Sequence, residues 1–480
     1  MKEADEESAA WSNAAENDSV KTSVPSRQSN SDPAEVHRKL QLDLPEAGKG
    51  LQGITEIVER ILECSVNTWG QGFLSKLYAG PTSVGAVAEL ILGVLNTNLH
   101  VFKVSPALVT IEKAVGKALA SMFGLNGPRA GGMSQPGGSA SNLTALVIAR
   151  NALFPETKVE GYGSKKFVLF TAAHGHYSFE KAAQIIGIGS AAARSVPVDE
   201  SGCMIVSELR KEITKARSEG CTPFFVNATA GTTVLGSYDP FTEIAAICKE
   251  EGLWFHIDAS WGGGVAFSQR HKHKLHGSEL ADSISFNPHK MLTVPVTCSF
   301  LLAKDLRKFW KSNTLPASYL FHTADEDADS ADDDADNKPF ELWDPADMSL
   351  QCGRKGDALK LALAWVYYGT TGFETRVDHA FEVAEHFAGL VAAHPNLDLI
   401  SEMPPPCLQV CFYYRKASTS EENTKTTKII AKKLQENNFH VDYAAGDHGS
   451  FFRAVISLQT ERSTVELLAK LIVNIGADLQ

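Results

Sequence analysis

Cysteine is scarce in this chain of 480 residues: there are eight, none in a CxxC pair or at regular spacing. That pattern excludes a disulfide framework and a thiolate zinc site, and suits the reduced thiols of a cytosolic enzyme. Long apolar runs are missing as well. No stretch of about 18 apolar residues occurs, so no membrane-spanning helix is expected. Basic charge is also short. Lysine and arginine number 45 against 57 acidic residues, for a net charge of −12 and no basic stripe, which excludes a nucleic-acid partner bound through its phosphates. Residues 1–47 are rich in Ser, Glu, Asn and Asp and have no apolar segment of the kind a signal peptide needs; a disordered tail is the expectation. In a cytoplasmic chain, the Asn-x-Ser/Thr matches at Asn17, Asn142 and Asn227 are chance.

What is present falls into three further parts. Over residues 48–101, ITEIVERILECSV and VGAVAELILGVL repeat apolar residues at intervals of three and four, the helical period. Over residues 102–372, helical periods alternate with β-rich runs such as KKFVLFTA, TPFFVNAT, LWFHIDA and CSFLLA, which predicts a three-layer α/β domain. Over residues 373–480, LQVCFYYRK and FFRAVISL lie between helical segments and predict a smaller α+β domain. The stretch 324–337, ADEDADSADDDADN, carries eight acidic residues. It lacks the sixth-position glycine and twelfth-position glutamate of a calcium loop in any register, and is expected to be a mobile, solvated insert.

Two short runs carry chemistry. Trp254 to Gly264 reads WFHIDASWGGG, an apolar run ending on Asp258, and Ser285 to Lys290 reads SFNPHK, a β-prone run ending on Lys290. One lysine and one buried carboxylate are what pyridoxal phosphate needs: an amine to hold its aldehyde, and an acid partner to keep its ring nitrogen protonated. Each residue alone has a plain reading, as a surface lysine or a helix-capping aspartate. A third run, Gln135 to Asn142 (QPGGSASN), opens the helical LTALVIARNAL, so its backbone amides can cup an anion.

HIDASWGGG and SFNPHK resemble the group II pyridoxal-phosphate decarboxylases, and the resemblance runs from about residue 50 to the C-terminus. It is closest to the glutamate, aspartate and cysteine sulfinate branch, through NATAGTTVLGSYDP at 227–240, FTAAHGHYSFEKA at 170–182, QCGRKGD at 351–357 and SFFRAVIS at 450–457. The resemblance implies the aspartate aminotransferase-like fold of the fold type I pyridoxal-phosphate transferases, with a mixed seven-stranded sheet and a smaller C-terminal α+β domain. It implies a homodimer with active sites at the interface, the segment 48–101 wrapping the partner. It places Lys290, Asp258 and His176 as catalytic residues, with His176 stacked on the cofactor ring. Ser139, Ala140 and Ser141 then hold the phosphate, Asn287 and His289 complete it, and Thr229 lies by the 3-oxygen. His174 and His176 lack a third ligand for a metal.

For the substrate, the resemblance makes Arg453 the grip on a carboxylate, with Lys76 and Asn98 beside it. Lys76, in GFLSKLYAG, stands where a glutamine is usual, and His100 stands where an aromatic is usual. Trp343, in ELWDPADMSLQCGR, takes the place of a tyrosine that returns a proton after carbon dioxide leaves. The expected activity is therefore α-decarboxylation of an acidic amino acid. The alternatives are decarboxylation coupled to oxidative deamination, and a non-catalytic protein that kept the fold.

Overall fold

The computed structural model describes residues 32–42, 44–315, 340–414 and 419–479. The acidic stretch 324–337 lies outside the described residues. Twelve strands run in chain order among the described residues: β1 (Phe73–Leu74), β2 (Gly131–Gln135), β3 (Phe167–Ala172), β4 (Ala193–Val196), β5 (Thr222–Thr229), β6 (Trp254–Ala259), β7 (Ser283–Phe286), β8 (Ser299–Ala303), β9 (Leu397–Leu399), β10 (Gln409–Tyr414), β11 (His440–Gly446) and β12 (Gly449–Val455).

Seven of them form one sheet in the order β2-β8-β7-β6-β5-β3-β4. Pairs from β4 through β7 are parallel, and β8 runs antiparallel to both β7 and β2, which makes the sheet mixed as expected. Its central strands are buried on both faces, the condition of a parallel sheet covered by crossover helices. Alternate residues of each strand therefore enter two separate cores. Phe167, Leu169 and Trp254 pack with Leu146 and Ala149 of the helix Gly138–Leu153. Val168, Phe170, Phe255 and Ile257 pack on the opposite side with Leu119, Leu209 and Ile213. This is the predicted three-layer arrangement, and it brings the C-terminal ends of the parallel strands β5, β6 and β7 to one edge, where loops are free to build a site.

The remaining five strands form a second sheet, β1-β11-β12-β10-β9. Its edge strand β1 comes from the N-terminal segment and pairs parallel with β11, Phe73 opposite His440. The segment read from its periodicity as helical thus contributes a strand to the C-terminal domain, because two residues are too few for a periodicity to register. The long helix Ala358–Ala393 that joins the two sheets is broken at Gly369, whose φ of 66° is left-handed.

Two local expectations differ from the structure. Within the stretch expected to be a tail, Pro33–Leu40 is a helix, with Asp32 accepting from the Ala34 amide and a proline at its start. His271 lies in the charged stretch QRHKHKLHG, which reads as solvated with His273 and His276, yet it stacks on Phe381 at 3.9 Å between ring centres. All eight cysteines are free thiols. Among the described residues no helix is long and apolar enough to cross a membrane. The helices Gly50–Cys64 and Ser83–Leu95 carry apolar side chains outward. Leu51 is 80%, Leu90 67% and Val94 77% exposed, and Val366 in the helix Ala358–Ala393 is 84% exposed.

Candidate active site

At the strand-end edge of the large sheet lies a cavity of about 210 Å³. Lys290, Asp258, His176 and Thr229 line it, as do Ser139, Asn287 and His289. Sequence reading placed these seven in one site, and they meet in one wall.

The floor is built on Asp258, the penultimate residue of β6. Its carboxylate accepts from Asn142 Nδ2 at 2.9 Å and from the Ser260 amide at 3.0 Å. Burial by itself would raise its pKa. Lys290, the Ser260 hydrogen bond, His176 and Asn142 outweigh that, and hold the carboxyl below its ordinary value, hence ionised. Asn142 is in turn oriented by its carbonyl oxygen, which accepts from Ser285 Oγ at 2.8 Å and lies 3.2 Å from His256 Nε2. His256 is fully buried, bonded to Ser283 Oγ at 2.8 Å, and pushed down to about 4 by burial, so it stays neutral. The buried carboxylate thus has fixed, neutral hydrogen-bond partners beneath it and Lys290 beside it.

Lys290 follows β7 in a tight turn, its amide donating to the Asn287 carbonyl at 3.0 Å. Desolvation lowers its pKa against the pull of Asp258. An amine kept neutral for more of the time is the better nucleophile. His176 sits in the turn after β3. Its Nδ1 accepts from the Ser178 amide at 3.2 Å, which leaves the ring proton on Nε2, and burial lowers its pKa while Asp258 opposes. Thr229 ends β5 with its amide bound to the carboxylate of Asp239 at 2.7 Å.

The opposite end is a cradle. The helix Gly138–Leu153 starts there without a side-chain cap, after Gly137 at φ 111°, and its first amides have no carbonyl to bond within the helix. A Cβ on Gly138 would lie 2.6 Å from Asn287 Nδ2 and 2.8 Å from Ser260 Oγ. Three elements therefore converge on a point where only glycine fits. Ser260 Oγ is buried there without a hydrogen-bond partner among the described residues. An orphaned hydroxyl, uncapped helix amides and a side-chain amide form a donor set that fits a phosphate. With Lys290 and Asp258 at the other end, the residues fit pyridoxal phosphate.

The other expected site residues stand apart from this wall. Ala140 and Ser141 lie on the same helix turn but do not line the cavity; Ser141 Oγ turns inward to Ser299 Oγ at 2.9 Å. Arg453 donates from Nη1 to the Thr233 carbonyl at 2.9 Å, and Thr233 lines the cavity, so its guanidinium lies just behind the wall. Lys76 is exposed and paired with Asp442 at 3.0 Å. Asn98 accepts from the Arg354 amide at 3.0 Å and braces the loop carrying QCGRKGD. Trp343 packs edge-on against Phe102 at 5.1 Å, under the ammonium of Lys113, outside the cavity. Among the described residues no cluster of three or more His, Cys, Asp or Glu could hold a metal ion.

Sequence reading passed over Ser260, Asn142 as the partner of Asp258, and Asp442. Asn142 carried a signal, an amide-bearing residue one helical turn after Gly138 and so on the face that looks across to β6. Trp261 is a fourth. It lines the cavity and donates to Gln409 Oε1 at 2.8 Å, and Gln409 Nε2 donates to the Thr232 carbonyl at 2.9 Å, which fastens the small domain to the site.

Residues 33–415 match the family described as the pyridoxal-dependent decarboxylase conserved domain. The chain is 48% identical to the L-aspartate decarboxylase dtxS4 of Metarhizium robertsii over 91% of its length and 86% of that protein's. It is 34% identical to the acidic amino acid decarboxylase GADL1 of Mus musculus, over 93% and 81%. The crystal structure of mouse CSAD superposes with a TM-score of 0.85 at 31% identity, over 93% of this chain and 92% of that one.

Proposed function

Because this chain belongs to the pyridoxal-dependent decarboxylase family, we propose that it removes the α-carboxylate of an acidic amino acid, of the aspartate, glutamate or cysteine sulfinate type, giving carbon dioxide and an amine. The reading rests on Arg453, a guanidinium one hydrogen bond behind the cavity wall. A planar fork of donors pairs bidentately with a carboxylate or sulfinate side chain, a match of charge and geometry that an aromatic side chain cannot make. The relatives named above as aspartate and acidic amino acid decarboxylases support it.

The bound cofactor supplies an aldehyde for an amine and a protonated ring that takes up the electron pair left when carbon dioxide departs. Lys290, a buried amine in the cavity wall, would hold that aldehyde. Asp258, kept ionised in its floor, holds the proton on the ring nitrogen. His176 would face the ring with an imidazole that carries a proton on Nε2. Ser139, Ser260, Asn287 and His289 hold the phosphate end, and Thr229 orients the ring. We further propose that the chain acts in the cytoplasm as a homodimer, a second copy covering the outward apolar side chains of Leu51, Leu90, Val94 and Val366, which would otherwise be an association hazard.

Carbon dioxide release measured across L-aspartate, L-glutamate, L-cysteine sulfinate and L-tryptophan tests the reading. Turnover of one of the three acids is expected; tryptophan as the best substrate would overturn it. A second reading, decarboxylation coupled to oxidative deamination, rests on the sequence position of Trp343, an indole with no acidic proton to return, which in this chain packs on Phe102 outside the cavity. Peroxide measured alongside amine separates the two. The cavity lined by Lys290, Asp258 and His176 weighs against a non-catalytic protein.

A further inference from the structure

Behind the cavity wall three charges meet on one oxygen. Lys76 follows β1, while Asp442 in β11 and Arg453 in β12 are register partners. Oδ2 of Asp442 accepts from Lys76 Nζ at 3.0 Å and from Arg453 Nη2 at 3.0 Å. Arg453 is fixed further by the carbonyls of Thr233 at 2.9 Å and Ser75 at 3.1 Å. Its Nε is buried with no hydrogen-bond partner among the described residues. The two arms of the cluster are unlike. The Arg453 side chain is 11% exposed, that of Lys76 51% and that of Asp442 31%. The first arm is held in place by three hydrogen bonds and the second is an exposed ion pair, of the kind that adds little stability.

We propose that Asp442 is a specificity-determining residue: by tying Lys76 and Arg453 to one carboxylate oxygen, it fixes where positive charge stands behind the cavity and so selects the length of an acidic side chain. The inference rests on the decarboxylase reading above and deepens it. Two cations and one carboxylate leave a single net positive charge, matched to one substrate side-chain carboxylate. A cation held at one point rewards the substrate whose carboxylate reaches that point and penalises the one that is a methylene too long or too short. Without Asp442, the lysine stem with its four rotatable carbons is released and follows either length. The cluster then carries two positive charges, which attract both acids more strongly and discriminate between them less.

The test is the ratio of kcat/KM for L-aspartate and L-glutamate in the holoenzyme, with the absorbance of the lysine-bound cofactor as the control on the floor of the site. Wild type is expected to favour one acid by about tenfold or more, the range that one methylene commands in enzyme specificity. Asp442→Asn should move the ratio about tenfold toward unity, chiefly by lowering KM for the disfavoured acid, with the cofactor band unchanged. Asp442→Glu should retain more of the preference. Lys76→Gln should shift the ratio too, and the double variant Lys76→Gln, Asp442→Asn should be non-additive. A wild-type ratio within about threefold of unity, an unchanged ratio in Asp442→Asn, or strict additivity overturns the proposal. If Asp442→Asn fails to fold, Lys76→Gln decides alone, since its side chain is exposed, and an unchanged ratio there is fatal. Wild type that decarboxylates neither acid would bring down the proposed function itself, a distinguishable result.

Discussion

The floor and the rear wall of this cavity are made in opposite ways. In the floor, Asp258, Asn142, His256, Ser260, Ser283 and Ser285 form a buried net in which one carboxylate is held by neutral hydrogen-bonding groups. Behind the wall, Lys76, Arg453 and Asp442 form a partly exposed cluster in which one carboxylate holds two cations. The floor is a preorganised dielectric, in which removing one member leaves a buried polar group unpaired. The charge cluster reaches water chiefly through its Lys76 and Asp442 arm, and its order comes from ion pairs. Chemistry common to every substrate belongs in the first, and choice among substrates in the second.

Four substitutions break or sharpen that contrast. Lys290→Ala should remove the absorbance band of the bound cofactor and lower kcat by at least roughly a thousandfold, since among the described residues no other amine lines the cavity to replace the nucleophile; spectra and steady-state rates check it together. Asp258→Asn should bind cofactor yet lose about a hundredfold or more in kcat, because a neutral amide cannot keep the ring nitrogen protonated. An unchanged rate at saturating cofactor would reduce Asp258 to a structural role. Ser260→Ala removes one hydroxyl from the cradle and should weaken cofactor affinity by about tenfold, the scale of one hydrogen bond to a charged group, with a smaller effect on the rate at saturation; cofactor titration by absorbance measures it. Trp343→Ala should be the mildest, a loss of about 1 kcal/mol of stability from one edge-on aromatic contact and one cation–π contact. Chemical unfolding of the holoenzyme should set that against about 3–5 kcal/mol for Phe286→Ala in the core.

The same division governs what the chain's sequence discloses. Asp258, Asn287, His289 and Lys290 sit in short runs at the ends of adjacent parallel strands, so the fold delivers them to one edge whatever the rest of the chain does. The large sheet was legible for the same reason, as alternating β runs and helical periods each long enough to register. The Lys76 and Asp442 pair is separated by 366 positions and depends on a two-residue strand. No local pattern announces such a strand. Asp442 itself is an unremarked acid in VDYAAG. Ser260 was hidden differently, as a serine inside a recognised run whose value lies in having nothing to bond. Pro33–Leu40 was lost to composition, since a capped single helix can stand in a polar stretch.

The pairing of β1 with β11 has a consequence for the order in which the protein is made. Strand β1 leaves the ribosome early and waits for His440 before it can be stitched in, while β2 through β8 and the whole cofactor floor are already synthesised. Domains fold broadly as they emerge, so the nascent chain should acquire a place for its cofactor well before it acquires the means to tell one amino acid from another. Discernment, in this molecule, is the last thing to arrive.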